Sequence, residues 1–198
     1  MNVFVKICGL TDEAAVAAVA AAGADAAGFV FAQSVRQVSP EYAARLATGL
    51  PRGVLRIAVM LHPDPELWRE VRDVFAPDVL QTDAADFDYL DVPAAIRRWP
   101  VYREGNPAID PPVGDSFVYE GRKSGQGATV DWGAAAAIGR RGRMILAGGL
   151  DAANVANAIL RARPWGVDTS SGVESAPGRK DPARIAAFVS AAKIVELN

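Results

Sequence analysis

Apolar positions along the chain recur with two different periods. "VFVKIC" (3–8), "DAAGFVFA" (25–32), "VLRIAVML" (54–61) and "PDVLQT" (77–82) are short β-branched or aromatic runs that predict strands. Between them, "DEAAVAAVAAA" (12–22), "SPEYAARLATG" (39–49) and "DPELWREVRDVFA" (64–76) carry helical spacing. Thr11 or Asp12 caps the first helix and Gly23 stops it. Ser39 caps the second, with Pro40 at its first helical position.

The middle of the chain is less regular. "DFDYLDVPAAIRRW" (86–99) reads as a poor helix interrupted by Pro93, and "PVYREG" (100–105) as a fifth strand. "NPAIDPPVGD" (106–115) is too rich in Pro and Gly for a helix and reads as a loop. Alternation then resumes. "SFVYEG" (116–121), "RMILAGG" (143–149) and "WGVDTSSG" (165–172) predict strands. Helices are expected from about Asp131 to Ile138, over 151–162 with Asp151 as cap, and over 181–196 with Asp181 as cap and Pro182 following it.

Eight strand-like segments with helices between most of them imply parallel strands and crossover connections. Eight units fit a closed (β/α)8 TIM barrel, here with short loops and an irregular fifth βα unit. The competing architecture is an open doubly wound sheet. That fold announces itself by a G-x-G-x-x-G turn after its first strand, and "CGLTDEA" is not one.

Strand periodicity then sorts the side chains. Phe4, Lys6 and Cys8 share one face of the first strand, and Val3, Val5 and Ile7 the other. The aliphatic face suits the helices, so Lys6 and Cys8 are expected to line the barrel, with Cys8 at its C-terminal mouth. Asp168 on the last strand is expected to pair with Lys6, because an isolated buried charge is very costly. Glu120 ends its strand as Cys8 ends its own, which makes them a candidate acid and base. Gly148 and Gly149 follow the seventh strand, and Ser170, Ser171 and Gly172 the eighth. Glycines and hydroxyls after those two strands suit a phosphate.

Composition narrows the classes further. The chain has 198 residues, 51% of them hydrophobic, and a net charge of −2 with acids and bases interspersed. That is enough for one sizeable core, and residues 1–198 are expected to form a single domain. No basic patch supports nucleic-acid binding, and the most apolar stretch, 14–24, is far short of a bilayer span. A single cysteine excludes an internal disulfide. The chain enters a strand at once without the marks of a signal peptide, so a soluble cytoplasmic protein is expected. A monomer is expected as well, and the loops after strands seven and eight point to a small phosphosugar as its ligand.

"VKICGLT" (5–11), "GADAAGFVFAQSVRQVSPEYA" (23–43), "SGQGATVDW" (124–132), "ILAGGLDAANVANAI" (145–159) and "WGVDTSSGVESAPGRKDPARIAAFV" (165–189) together resemble the phosphoribosylanthranilate isomerase family. The resemblance implies an Amadori rearrangement in tryptophan biosynthesis with no metal or organic cofactor. N-(5-phosphoribosyl)anthranilate would become 1-(2-carboxyphenylamino)-1-deoxyribulose 5-phosphate. By the same resemblance Cys8 is the general base, the carboxyl ending strand six the general acid, and Arg36 the holder of the anthranilate carboxylate. Gln81 and Asp168 are expected to contact substrate.

The chain departs from the family pattern at three places. "VYEG" stands where the family reads "LLD", so Glu120 replaces an aspartate. "QTDA" (81–84) stands for "QLHG", keeping only Gln81, and "VYREGNPAIDPPVGD" (101–115) barely matches. A free thiol is mostly protonated at neutral pH, so a base at Cys8 is expected to be assisted by Lys6, a helix start or the substrate. His62, the only histidine, is expected in a loop at the rim. One alternative is a non-catalytic or altered-substrate phosphosugar-binding barrel, because Glu120 replaces the expected Asp. Another is a different phosphosugar enzyme, either an indoleglycerol-phosphate synthase or a ribulose-phosphate epimerase, though a single histidine argues against the epimerase.

Overall fold

A computed structural model describes residues 2–105, 111, 113–121 and 129–196. Eight strands form a closed barrel: β1 (Phe4–Cys8), β2 (Ala26–Val30), β3 (Leu55–Val59), β4 (Val79–Asp83), β5 (Arg97–Arg103), β6 (Ser116–Glu120), β7 (Arg143–Leu146) and β8 (Gly166–Thr169). Each pairs in parallel with its neighbour, and β8 returns to pair with β1. Outside lie α1 (Glu13–Ala22), α2 (Pro40–Ala47), α3 (Pro65–Glu70), α4 (Trp132–Gly139), α5 (Val155–Ala162) and α6 (Pro182–Lys193). The expected TIM barrel is the observed one.

Local chemistry explains most helix starts. Asp12 accepts from the Ala15 N–H at 2.8 Å, so it, rather than Thr11, caps α1. Gly23 ends that helix in the left-handed region at φ 73°. Ser39, Asp64, Asp131 and Asp181 cap α2, α3, α4 and α6 in the same way. Asp151 instead accepts from Ala153 and Asn154 in a turn, and helical bonding begins only at Val155.

The expectation of a poor helix over 86–99 is corrected. Only a 3-10 turn, Ala84–Asp88, follows β4, and β5 already begins at Arg97. The reason is the two-residue period in "RRWPVYR". Trp99 and Val101 are buried inside the barrel, while Pro100 and Tyr102, on the alternate positions, are only partly buried. Pro100 is tolerated in that strand although it donates no ladder bond. Strand seven ends at Leu146 and strand eight at Thr169, both short of the expected ends, which frees 147–149 and 170–172 as mouth loops. A small hairpin, β9 (Glu174–Ala176) with β10 (Arg179–Lys180), follows β8 and was not expected. Residues 106–110, 112 and 122–128, where a Pro/Gly-rich loop and a glycine-rich loop are expected, lie outside the described residues.

Two apolar layers hold the barrel. The larger lies between strands and helices, with Ile7, Phe29, Phe117 and Phe188 fully buried. The smaller fills the interior. Phe4 stacks on Trp165 with ring centroids 4.5 Å apart, and Trp99 meets both edge-on, closing the N-terminal end. Ile57, Val79, Val118 and Ile145 lie above them.

Above that apolar plug the interior turns polar at one place. Lys6 and Asp168 are register partners across the β1–β8 seam, and Lys6 Nζ donates to Asp168 Oδ2 at 2.9 Å. Lys6 is fully buried and Asp168 is 7% exposed. Burial works against charge on Lys6, yet Asp168 and then Cys8 hold its pKa above the ordinary value. Gly28 makes the room, because a Cβ there would stand 3.1 Å from Cys8 Sγ and 3.2 Å from Lys6 Cε. Breaking the pair strands a charge in the barrel. Lys6→Met is therefore expected to cost about 3–5 kcal/mol in urea unfolding, and Lys6→Met combined with Asp168→Asn clearly less than the single change. Equal losses in the two proteins would contradict a structural role for the pair.

Candidate active site

The strand ends open into a cavity of about 340 Å3 at the C-terminal face. Cys8, Arg36, Gln81, Glu120, Asp168, Gly148, Gly149, Ser170 and Ser171 all line it. Gly172 does not. Its Cα is pressed on the loop after β7, where a Cβ would meet the Leu150 carbonyl oxygen at 2.0 Å, so it serves loop packing. His62 stands at the rim as expected, 64% exposed through its side chain.

Cys8 ends β1 beside Lys6 and Asp168 and is 8% exposed. Burial pushes its thiol pKa above the ordinary value. The Lys6 and Lys180 ammoniums pull it back without cancelling that effect, and the Asp168 carboxylate adds to it. The expectation that Lys6 lowers the thiol is thus right in sign and outweighed in size. Burial also pushes the Asp168 carboxyl up.

Three acceptor oxygens at this mouth are buried without a partner among the described residues: Gln81 Oε1, Asp83 Oδ1 and Asp168 Oδ1. Buried acceptors left unpaired are costly, so a bound molecule rich in hydroxyl donors matches them.

Arg36 is not a solitary cation. Its Nε and Nη2 donate to Glu174 at 2.7 and 2.8 Å. Lys180 Nζ donates to the same carboxylate at 2.7 Å, and to the carbonyl and hydroxyl of Ser170 at 2.9 and 3.2 Å. Although burial opposes it, Arg36 and Lys180 hold the Glu174 carboxyl down at about 2. Glu174 takes the Nε/Nη2 edge of the guanidinium, and Arg36 lines the cavity. Gly9, at φ 78°, admits the arginine stem, because a Cβ there would stand 2.5 Å from Arg36 Cδ. Glu174 and Lys180 were missed from the sequence. The turn dipeptide Pro177-Gly178 in "VESAPGRK" is the signal that could have placed them on a hairpin.

The phosphate-type loops converge as expected. Gly148 and Gly149 both have positive φ, 99° and 59°, which turns the backbone after β7. The Asn154 side chain donates to the Gly149 carbonyl at 2.8 Å and steadies that turn. Ser170 donates to the Cys8 carbonyl at 3.0 Å, tying the loop after β8 to the end of β1. The buried Lys180 ammonium lies behind this loop.

On the opposite wall Glu120 meets Arg103, with Arg103 Nε 3.1 Å from Glu120 Oε1. Arg103 also bonds Asp83. From the sequence, Asp83 stands out only as part of the "QTDA" departure and Arg103 only as part of the poorly matching fifth unit, neither with a role.

The family model described as N-(5'phosphoribosyl)anthranilate (PRA) isomerase matches residues 5–191. The chain belongs to the phosphoribosylanthranilate isomerase family. It is 38% identical over 211 residues to the N-(5'-phosphoribosyl)anthranilate isomerase of Bordetella petrii, covering 98% of this chain and 96% of that protein. The phosphoribosyl anthranilate isomerase structure from Thermotoga maritima superposes with a TM-score of 0.80 at 31% identity, over 98% of this chain and 100% of that one. A phosphoribosyl anthranilate isomerase solved with reduced 1-(o-carboxyphenylamino)-1-deoxyribulose 5-phosphate matches with a TM-score of 0.73, again at 31% identity and over 98% and 100% of the two chains. The activity of the chain is that of its family, isomerisation of N-(5'-phosphoribosyl)anthranilate in tryptophan biosynthesis.

Two measurements follow from these electrostatics. The alkylation rate of Cys8 by iodoacetamide, followed by mass, is expected to rise with a midpoint above the ~8.5 of an ordinary thiol. A midpoint below that value would mean that the lysines outweigh burial. Glu174, whose folded pKa is depressed to about 2, adds stability that is complete above the ordinary carboxylate range and lost as pH falls toward 2. Urea midpoints of Glu174→Gln are therefore expected to change less between pH 5 and pH 2.5 than those of wild type.

Proposed function

We propose that Cys8 is the general base and Glu120 the general acid of this isomerisation. The observation that carries the reading is that one cavity gathers a thiol, a carboxyl, a fixed guanidinium and two phosphate-type loops. The loops at Gly148, Gly149, Ser170 and Ser171 hold the phosphate, with the Lys180 ammonium behind Ser170 adding attraction. Arg36, held beside the cavity by Glu174, takes the anthranilate carboxylate. Gln81 and Asp168 offer their unpartnered oxygens to the sugar hydroxyls.

With the substrate held at both ends, Glu120 gives its proton to the ribose ring oxygen. The C1–O bond breaks and the anilino nitrogen lends its electron pair, forming an iminium. Cys8 takes the C2 proton as thiolate, the C–H electrons form the C1–C2 double bond of an enolamine, and the C1–N π pair of the iminium returns to the anilino nitrogen. Its C2 hydroxyl then loses a proton, C1 gains one, and the aminoketose results. The raised thiol pKa does not forbid this step. The iminium cation, forming one bond from the carbon to be deprotonated, favours the thiolate when it is needed.

The finer organisation belongs to the same proposal. The chain acts as one domain and as a monomer, in contrast to the dimeric Thermotoga maritima enzyme. Among the described residues no helix is long and apolar enough to cross a membrane, in keeping with work in the cytoplasm. Light scattering at working concentration tests the monomer.

Activity is followed by the loss of anthranilate fluorescence. Cys8→Ala and Glu120→Ala are expected to lose nearly all turnover while still binding the reduced product analogue. Unchanged turnover in Cys8→Ala would remove it as base. Loss of analogue binding in both would place these side chains in binding rather than chemistry.

A further inference from the structure

Asp83, Arg103 and Glu120 stand on three consecutive strands, and all three fall where the sequence leaves its family's pattern. Arg103 lies in the poorly matching fifth unit. They meet in space. Arg103 and Glu120 are register partners on β5 and β6, and one guanidinium spans both carboxylates, Nε toward Glu120 and Nη1 toward Asp83. All three line the cavity, and their side chains are 15–22% exposed. This arrangement poses a problem for an acid. A guanidinium in contact favours the ionised carboxylate, the form that has no proton to give.

Asp83 offers the solution. Its Oδ2 already holds Arg103, and its Oδ1 is buried with no partner among the described residues. A small rotation of the guanidinium would satisfy that oxygen and make the Asp83 contact bidentate, at the expense of the contact to Glu120. We propose that Arg103 is a positioning residue shared between Asp83 and Glu120, and that Asp83 draws it off Glu120 so that Glu120 holds the proton it donates. The proposal rests on Glu120 being the acid.

Charged groups approach Glu120 from the neighbouring strands and from across the cavity. Among the described residues, β5 presents Arg103 and β4 presents Asp83, with His62 Nε2 3.5 Å behind Asp83 Oδ2. On the other side β7 and its loop bring only Ile145 and Ala147 inward near the mouth, with no ionisable group. Across the cavity stand Cys8 and the Lys6–Asp168 pair, and Arg36 bound to Glu174.

The test is the pH profile of kcat, whose alkaline limb reports the group that must be protonated in the complex. Asp83→Asn commits Arg103 to Glu120, so its limb is expected to move to lower pH, with about a tenfold loss at alkaline pH for each unit moved. Arg103→Gln is expected to move the limb the opposite way, and Arg103→Lys to return it part of the way. Asp83→Ser, run beside Asp83→Asn, guards against a poorly accommodated amide, and binding of the reduced product analogue confirms an intact site in each variant. Shifts of the same sign in the Asp83 and Arg103 variants, no shift in either, or a rise in KM alone would overturn the proposal. Glu120→Gln separates the two readings. If it keeps turnover, the acid assignment itself fails. If it is inactive and the limbs do not move, only the role of Arg103 and Asp83 fails.

Discussion

The barrel depends on one buried ion pair at its seam. Lys6 on the first strand and Asp168 on the last lie side by side in the β1–β8 register, with 2.9 Å between the charged atoms. Neither charge is tolerable alone in that interior, so the chain gains the pair only by closing the ring. Closure places Cys8 and Ser170, from opposite ends of the sequence, within one hydrogen-bonded corner. The glycine at position 28 is the cost in packing, a gap in the neighbouring strand that the lysine stem and the thiol fill.

Polarity is layered along the barrel axis. Aromatic rings close the N-terminal end, aliphatic side chains fill the middle, and ionisable groups crowd the mouth. Low dielectric below and partial burial around the mouth strengthen every charge interaction there. Burial pushes both the Cys8 thiol and the Glu174 carboxyl up, yet only the carboxyl is brought below its ordinary value. The thiol has only partial cationic compensation. The carboxylate has a guanidinium and an ammonium in direct contact.

Two charge clusters divide the mouth. On one wall Glu174 joins Arg36 and Lys180 and holds the guanidinium beside the cavity. On the other wall Arg103 bridges the Asp83 and Glu120 carboxylates. In the first arrangement one carboxylate has two cations in direct contact. The second is underdetermined, with an acceptor oxygen still open, and it stands beside the group that has to give up a proton.

Much of this was legible in the sequence. Two-residue periodicity placed Lys6, Cys8, Glu120 and Asp168 on inward faces, capping residues placed most helix starts though not that after Asp151, and glycines and serines marked the loops after β7 and β8. Those features are local, because strand alternation and capping depend only on near neighbours along the chain. The sequence misread 86–99, where Pro93 and the paired arginines hid an alternation that only the barrel interior enforces at Trp99. Only the folded chain decided that Arg36 is already partnered, that burial outweighs Lys6 at the thiol, that Gly172 packs against Leu150 instead of lining the cavity, and that Asp83 and Arg103 join Glu120. Each of these is a contact between residues far apart in sequence, and its sign is set by how much water the fold removes from around it.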